Sequence, residues 1–314
     1  MIRQIKNKKR LRELIIRTAA GVAAVAALVI MLAIAGSRNE KKKEAQETAN
    51  AAKKAEESKE EVQENEEEQI EEILAQDKYG PQLASLYEKY PELRQLLLNR
   101  SEYPDWLIEY FIGHDEAVKW VVDYPQYINV DQVEIDTKAL EAVDLGNYEV
   151  RNMIPLYYQW DQRWGYASYG AGLIAPDGCG TTCLSMVATG LLDNAGLTPK
   201  VIADYSYEQG YYSEESGTGW GLMSDGASGL GLNVVEVQWS VSDIIDQLSN
   251  GRPLICSMGP GDFTEQGHFI VLCGLNEEGL ILVNDPNSAV NSQKAWDVQV
   301  LLDQMKAMWA YTGP

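Results

Sequence analysis

The apolar and polar positions divide the chain into four stretches of different pattern. An uncharged, mostly apolar run covers residues 18–36, and the polar stretch 37–76 that follows holds few apolar side chains. Apolar residues then recur at helical spacing through residues 77–128, with prolines between the short predicted helices. From about residue 151 onward, predicted helices come first and strand-like apolar runs come later.

Residues 151–314 carry the signals of one domain with helices and a sheet. Helices are predicted after Cys179 and at residues 199–210, 221–231, 241–250 and 295–310. Strands are predicted at residues 233–238, 253–258, 269–275 and 280–283. Early helices and a late antiparallel sheet indicate an α+β fold, and a segment of about 160 residues is long enough to bury one core.

One cysteine of this domain has surroundings typical of catalysis. Cys179 stands between two glycines and just before a predicted helix, where free N–H groups and the helix dipole stabilise an anion. A thiol becomes a strong nucleophile only where a base or a positive potential favours the thiolate. We therefore interpret Cys179 as a candidate nucleophile, although this pattern taken alone is more often a buried packing cysteine.

His268 and Asp285 are the candidate base and orienting carboxylate. His268 begins one apolar run, Asp285 ends the next, and residues 276–279 between them form a predicted hairpin turn. Folding the hairpin brings the two side chains within reach across the strand pair. A structural histidine and an ordinary Asn-Asp-Pro turn are the alternatives, but the order Cys, His, Asp within one domain favours catalysis. His114 has no cysteine near it in sequence and is interpreted as structural.

Four sequence blocks resemble the peptidase family thirty-nine-like domains, which are papain-fold cysteine peptidases related to bacteriocin-leader processing peptidases. The blocks read IPLYYQWDQRWG, DGCGTTCLSMV, GHFIVL and NDP, and they begin at Ile154, Asp177, Gly267 and Asn284. The resemblance implies a papain-like fold for residues 151–314. It also implies a triad of Cys179, His268 and Asp285 that hydrolyses peptide bonds through a thioester.

The resemblance further implies a glutamine ahead of the cysteine that donates to the oxyanion. We choose Gln159, with Gln162 as the alternative, because the residues between this block and Cys179 leave the alignment open. The expected substrate is a polypeptide or a cell-wall peptide. A peptidoglycan amidase or endopeptidase and a non-catalytic surface module that binds peptide are the alternative functions.

The N-terminal pattern predicts a membrane anchor. Basic residues are frequent in the segment 1–17. The apolar run of about 19 residues after it would form a helix of ~28 Å, enough for a hydrocarbon core of ~30 Å. Positive charge is heavier before the run than after it, which places the amino end in the cytoplasm. We expect a single-pass helix over residues 18–36 in the cell membrane, with the peptidase domain extracellular. A cleaved signal peptide is the alternative, because residues 33–35 read Ala-Ile-Ala.

Two further segments separate this run from the peptidase domain. Residues 37–76 are predicted to form a charged helical stalk, because Glu, Lys and Ala suit a solvated helix but cannot bury a core. A two-stranded coiled coil is an alternative for the stalk. Residues 77–150 are predicted to be a small helical region and linker that either caps the peptidase domain or recruits a partner.

Composition excludes several other functions. The formal net charge is −21, and no basic face is expected outside the N-terminal segment, so nucleic acid is excluded as a partner. The four cysteines and two histidines lack the spacing of zinc ligands. No phosphate-binding loop or dinucleotide fingerprint is present in the sequence, so we expect neither a metal nor a cofactor.

Overall fold

A computed structural model of the chain describes residues 61–128, 150–151, 153–215 and 217–314, together with residues 25–29, 31–32 and scattered positions between 42 and 59. The chain forms two compact units, Met1–Glu71 and Glu72–Pro314. Every described residue of the first unit is helical. The second unit contains both the helical segment and the α+β domain.

No helix among the described residues is long and apolar enough to cross a membrane. Of the predicted span 18–36, only residues 25–29 and 31–32 are described, and they are helical and exposed. The predicted basic segment 1–17 and the linker residues 129–149 lie outside the described residues.

Four helices and three 3-10 turns form what we call the helical region, residues 80–128. The helices are α1 (Gly80–Lys89), α2 (Arg94–Leu98), α3 (Asp105–Gly113) and α4 (Val118–Ile128). The 3-10 turns are Pro91–Leu93, Arg100–Glu102 and Asp115–Ala117. Apolar side chains at helical spacing form its interior, among them the fully buried Leu83, Leu96, Leu97, Leu107, Phe111 and Trp120.

The remainder of the second unit, residues 150–314, alternates short strands with helices. Its strands are β1 (Val150–Arg151), β2 (Ile154–Pro155), β3 (Ser168–Tyr169), β4 (Gly172–Leu173), β5 (Tyr212–Ser213), β6 (Gly217–Thr218), β7 (Asn233–Val235), β8 (Leu254–Met258), β9 (His268–Leu275), β10 (Ile281–Asn284), β11 (Ala295–Trp296) and β12 (Met305–Thr312). Its helices are α5 (Ile174–Asp177), α6 (Cys179–Leu192), α7 (Pro199–Glu208), α8 (Asp225–Gly229), α9 (Val241–Ser249), α10 (Ala289–Gln293) and α11 (Val298–Gln304), with a 3-10 turn at Trp220–Leu222. The domain is α+β, as the sequence predicts.

An antiparallel sheet of six strands, in the order β11-β10-β9-β8-β12-β7, forms the centre of this domain. Alternate side chains of a strand point to opposite faces of the sheet. Ile255 and Val271 pack in the same core as α6, whereas Cys256 and Ile270 pack in a second core with α9 and α11. Residues 180–189 of α6 are all buried, so this helix forms much of the first core.

The structure differs from the prediction of one continuous helix over residues 295–310. This segment forms β11, α11 and most of β12. Strand β12 pairs with both β8 and β7, and Ala310 lies opposite Leu254 on one side and Val235 on the other. Met, Lys and Ala in this segment favour a helix locally, but pairing on two sides and burial of Ala310 and Tyr311 outweigh that preference.

Candidate active site

Cys179 is the first residue of α6 and follows the N-cap residue Gly178. Cys179 is partly exposed, whereas residues 180–189 of the same helix are buried. The N-terminus of this 14-residue helix favours an anion on the sulfur, because the first N–H groups have no acceptor within the helix.

The two glycines beside Cys179 are required by close packing. A Cβ added at Gly178 would lie 2.6 Å from the carbonyl oxygen of Ile174, and one at Gly180 would lie 2.7 Å from a methyl carbon of Thr218. The glycines thus let α5 and β6 approach the start of α6. Neighbouring protein atoms therefore account for the two glycines.

His268 and Asp285 meet as the hairpin register requires. His268 is the first residue of β9, and β10 ends one residue before Asp285. Nε2 of His268 lies 2.7 Å from Oδ1 of Asp285, and the two side chains are only 7% and 1% exposed. An ionised carboxylate only accepts hydrogen bonds, so Nε2 carries a proton and Nδ1 remains for exchange with Cys179.

Several further hydrogen bonds fix the carboxylate of Asp285. Oδ1 accepts the backbone N–H of Asn287 at 2.9 Å, and Oδ2 accepts the side-chain amide of Asn291 at 2.9 Å. The backbone N–H of Asp285 donates to Ser292 Oγ at 2.9 Å. These donors fix the position of the carboxylate, which can therefore hold the imidazole ring in one orientation.

Opposing effects set the protonation of His268. Burial alone would lower the pKa of His268, but the charge and hydrogen bond of Asp285, together with those of Cys179, raise that pKa to about 10. These contributions of Cys179 indicate that its thiol lies beside the His268 ring. At pH 7 the His268 ring therefore carries a proton on both nitrogens.

The other three cysteines have the properties of packing residues. Cys183, Cys256 and Cys273 are buried, and none of the four cysteines forms a disulfide. Burial raises the pKa of Cys183 well above its ordinary value, and it raises that of Cys256 as well. Among the described residues, no group of three or more His, Cys, Asp or Glu side chains could hold a metal ion.

The two candidate glutamines lie in different surroundings. Gln159 is 1% exposed, and its Nε2 donates to the carbonyl of Ala175, in the helix just before Cys179, at 2.5 Å. Its backbone N–H donates to Pro286 O at 2.8 Å, next to Asp285. Gln162 instead donates to Oδ2 of Asp123 in the helical region at 2.6 Å. Gln159 is therefore the glutamine held between the Cys179 and Asp285 segments.

Two residues of the helical region reach this site, which the sequence did not indicate. Burial raises the pKa of Tyr110, and the nearby charges of Asp177 and Cys179 act in the same direction. The ring of His114 stacks on Tyr110 with 4.7 Å between centroids, and its pKa is lowered first by desolvation and also by the charge of His268. His114 is far from Cys179 in sequence, so the sequence alone indicates no connection between them. Tertiary packing nevertheless brings the helical region against the site.

Comparison with known proteins gives one family for the domain that carries these groups. Residues 151–314 match the Peptidase C39 like family. None of the curated proteins compared with the chain matches it. The family match covers more than half of the 314 residues and includes Cys179, His268 and Asp285. The chain therefore belongs to the Peptidase C39 like family.

Proposed function

We propose that the chain is a cysteine peptidase in which Cys179 attacks, His268 transfers protons and Asp285 orients His268. The observation that carries this proposal is the buried hydrogen bond between His268 and Asp285 beside a cysteine at a helix N-terminus. A pKa of about 10 for His268 favours an imidazolium next to a thiolate before substrate binds. The substrate that we propose is a polypeptide or a cell-wall peptide.

The reaction follows from these positions. The Cys179 thiolate attacks the amide carbonyl carbon, and the imidazolium of His268 gives its Nδ1 proton to the leaving amine as the C–N bond breaks. The product is a thioester on Cys179. Neutral His268 then takes a proton from water, and the hydroxide formed attacks the thioester, which releases the acid and restores the thiolate–imidazolium pair. Asp285 holds the ring in one tautomer through both halves.

Two N–H donors are proposed to stabilise the oxyanion of each tetrahedral intermediate. One is the backbone N–H of Cys179, at the start of α6 where no intrahelical acceptor exists. The other is the side-chain amide of Gln159. One of its two protons is used by Ala175 O, which fixes the amide plane and leaves the second proton for the oxyanion.

Substitution of the triad tests these roles. Cys179→Ala and His268→Ala should each abolish hydrolysis, and the double variant should lose little more, because the two side chains act as one unit. Asp285→Asn should retain more activity than either of these variants, since backbone geometry still orients the His268 ring correctly in a fraction of the molecules. Hydrolysis of a denatured polypeptide and of purified cell wall by the full chain is the measurement. Full activity of His268→Ala would reject the mechanism, and release from cell wall alone would assign the amidase alternative.

The two glutamines provide a matched pair for the oxyanion role. Gln159→Ala should lower kcat by ~100- to 1000-fold with little change in KM, because a donor to the transition state is lost. Gln162→Ala should leave kcat nearly unchanged. If the Gln162 variant is the impaired one, the oxyanion donor is wrongly assigned while the triad stands.

Alkylation tests the nucleophile without a substrate. Iodoacetamide should label Cys179 at least about tenfold faster than Cys183, Cys256 or Cys273 in the folded chain, because only Cys179 is both accessible and stabilised as a thiolate. Peptide mass mapping after a short exposure at pH 7 gives the four rates. Equal labelling of all four, or preferential labelling of another cysteine, would contradict the assignment of Cys179.

We also propose that residues 18–36 anchor the chain in the cell membrane with the peptidase domain outside. The support is the basic segment 1–17 followed by an uncharged run of spanning length. Protease added to intact cells should remove the peptidase domain and leave an N-terminal tag protected. A mature chain that begins near Gly36 would indicate a cleaved signal instead.

A further inference from the structure

Glu116 of the helical region binds the segment that follows Asp285. It lies in the 3-10 turn Asp115–Ala117, far from this segment in sequence. Its carboxylate accepts three hydrogen bonds from consecutive residues: Ser288 Oγ at 2.7 Å, Ala289 N at 2.6 Å and Val290 N at 3.3 Å. One carboxylate therefore fixes the beginning of α10.

Helix α10 in turn holds Asp285. Ser288 is the N-cap of this helix, and its hydroxyl accepts the backbone N–H of Asn291 at 3.1 Å. The side chain of Asn291 donates to Oδ2 of Asp285 at 2.9 Å, and Ser292 Oγ accepts the Asp285 N–H at 2.9 Å. A continuous series of hydrogen bonds thus runs from Glu116 through α10 to Asp285.

Tyr110 makes a second connection from the helical region to the same loop. Its hydroxyl lies 3.2 Å from Oδ1 of Asn287, and the backbone N–H of Asn287 donates to Oδ1 of Asp285. The hydroxyl also lies 3.1 Å from Ala175 O, the carbonyl that accepts from Gln159. Glu116 and Tyr110 therefore both contact the segment that holds Asp285, and Tyr110 also lies at the carbonyl that binds Gln159.

We propose that Glu116 is a positioning residue for the peptidase site, and that through α10 it holds Asp285 in the orientation that His268 requires. This inference rests on the proposed function of Cys179, His268 and Asp285. It makes the helical region part of the catalytic unit, where the sequence left open only a cap or a partner-binding role. Glu116 touches no reacting atom, so its effect is transmitted by the first turn of α10.

The adjacent acid supplies a matched control. Asp115 lies in the same 3-10 turn, but its carboxylate pairs with Lys89 of the helical region at 2.6 Å. Asp115→Ala removes an acidic side chain from the same turn without touching α10. Glu116→Gln keeps the shape, with Oε1 able to accept from the backbone N–H groups and Nε2 able to donate to Ser288 Oγ.

The experiment measures alkylation of Cys179 by iodoacetamide in the full chain at pH 10 and at a low pH set one unit below the midpoint of the wild-type pH–rate curve. An ordinary thiol has this midpoint near pH 8.5 and is almost fully ionised at pH 10. The rate at the low pH divided by the rate at pH 10 therefore reports how well His268 and Asp285 stabilise the thiolate in each variant. Loss of stability or of access changes both rates and leaves the ratio unchanged.

Glu116→Ala should lower the ratio about tenfold, the effect of losing one good hydrogen bond to a charged group, because a loosened Asp285 holds the imidazolium less well. Glu116→Gln should stay within about threefold of the wild-type ratio, and Asp115→Ala should match wild type. Ser288→Ala removes one Glu116 contact from the peptidase side and should lower the ratio by a smaller factor. This variant serves the same purpose if Glu116→Ala does not fold.

Three results would overturn the positioning role. The first is a rate ratio equal to that of the wild type in both Glu116→Ala and Ser288→Ala. The second is a fall of the ratio in Asp115→Ala equal to that in Glu116→Ala, and the third is an equally large fall of the ratio in Glu116→Gln. The last would mean that the charge of Glu116 acts, and not its hydrogen bonds. A wild-type midpoint near pH 8.5, which is typical of an ordinary thiol, is a different failure, because it would reject the proposed function itself.

Discussion

The hydrogen bond between His268 and Asp285 is the interaction on which the rest of the site depends. Both side chains are almost completely removed from water, and isolated charges in such a place would cost several kcal/mol each. The pair is tolerated because Asn287 and Asn291 complete the shell of the carboxylate. Burial lowers the pKa of His268, but the charge and hydrogen bond of Asp285 and the contributions of Cys179 outweigh it, so the ring can keep a proton.

The architecture brings together groups from four parts of the chain. Helix α6 presents Cys179 at its N-terminus, the β9–β10 hairpin supplies His268 and Asp285, and the segment around Gln159 links them through its bonds to Ala175 and Pro286. The helical region adds Tyr110 and Glu116 on the side of the Asp285 loop. Hydrogen bonds from the helical region, which lies outside the domain that matches the family, therefore support the Asp285 loop.

The sequence indicates candidate site residues where their placement depends on local structure, and not where it depends on tertiary packing. Glycines around Cys179 and a hairpin turn between His268 and Asp285 were sufficient to propose the three residues, because helix N-termini and hairpin registers are local features. The residues of strand β12 predict a helix from their local preferences, but β8 and β7 pair with this segment on its two sides and make it a strand. No local sequence pattern around Glu116 or Tyr110 indicates that they contact the site. Their contacts depend on how the helical region packs on residues more than 60 positions away.

The protonation state of His268 is the most direct test of this account. The chain has only two histidines, so ¹⁵N-histidine NMR of the full chain, with a His114→Gln variant for assignment, resolves each ring. We predict that His268 is an imidazolium at pH 7, loses its proton near pH 10, and has a lower pKa in Cys179→Ala, where the thiolate that stabilises the charge is missing. A neutral His268 ring at pH 7 that titrates near the ordinary value, unchanged by removal of Cys179, would contradict it.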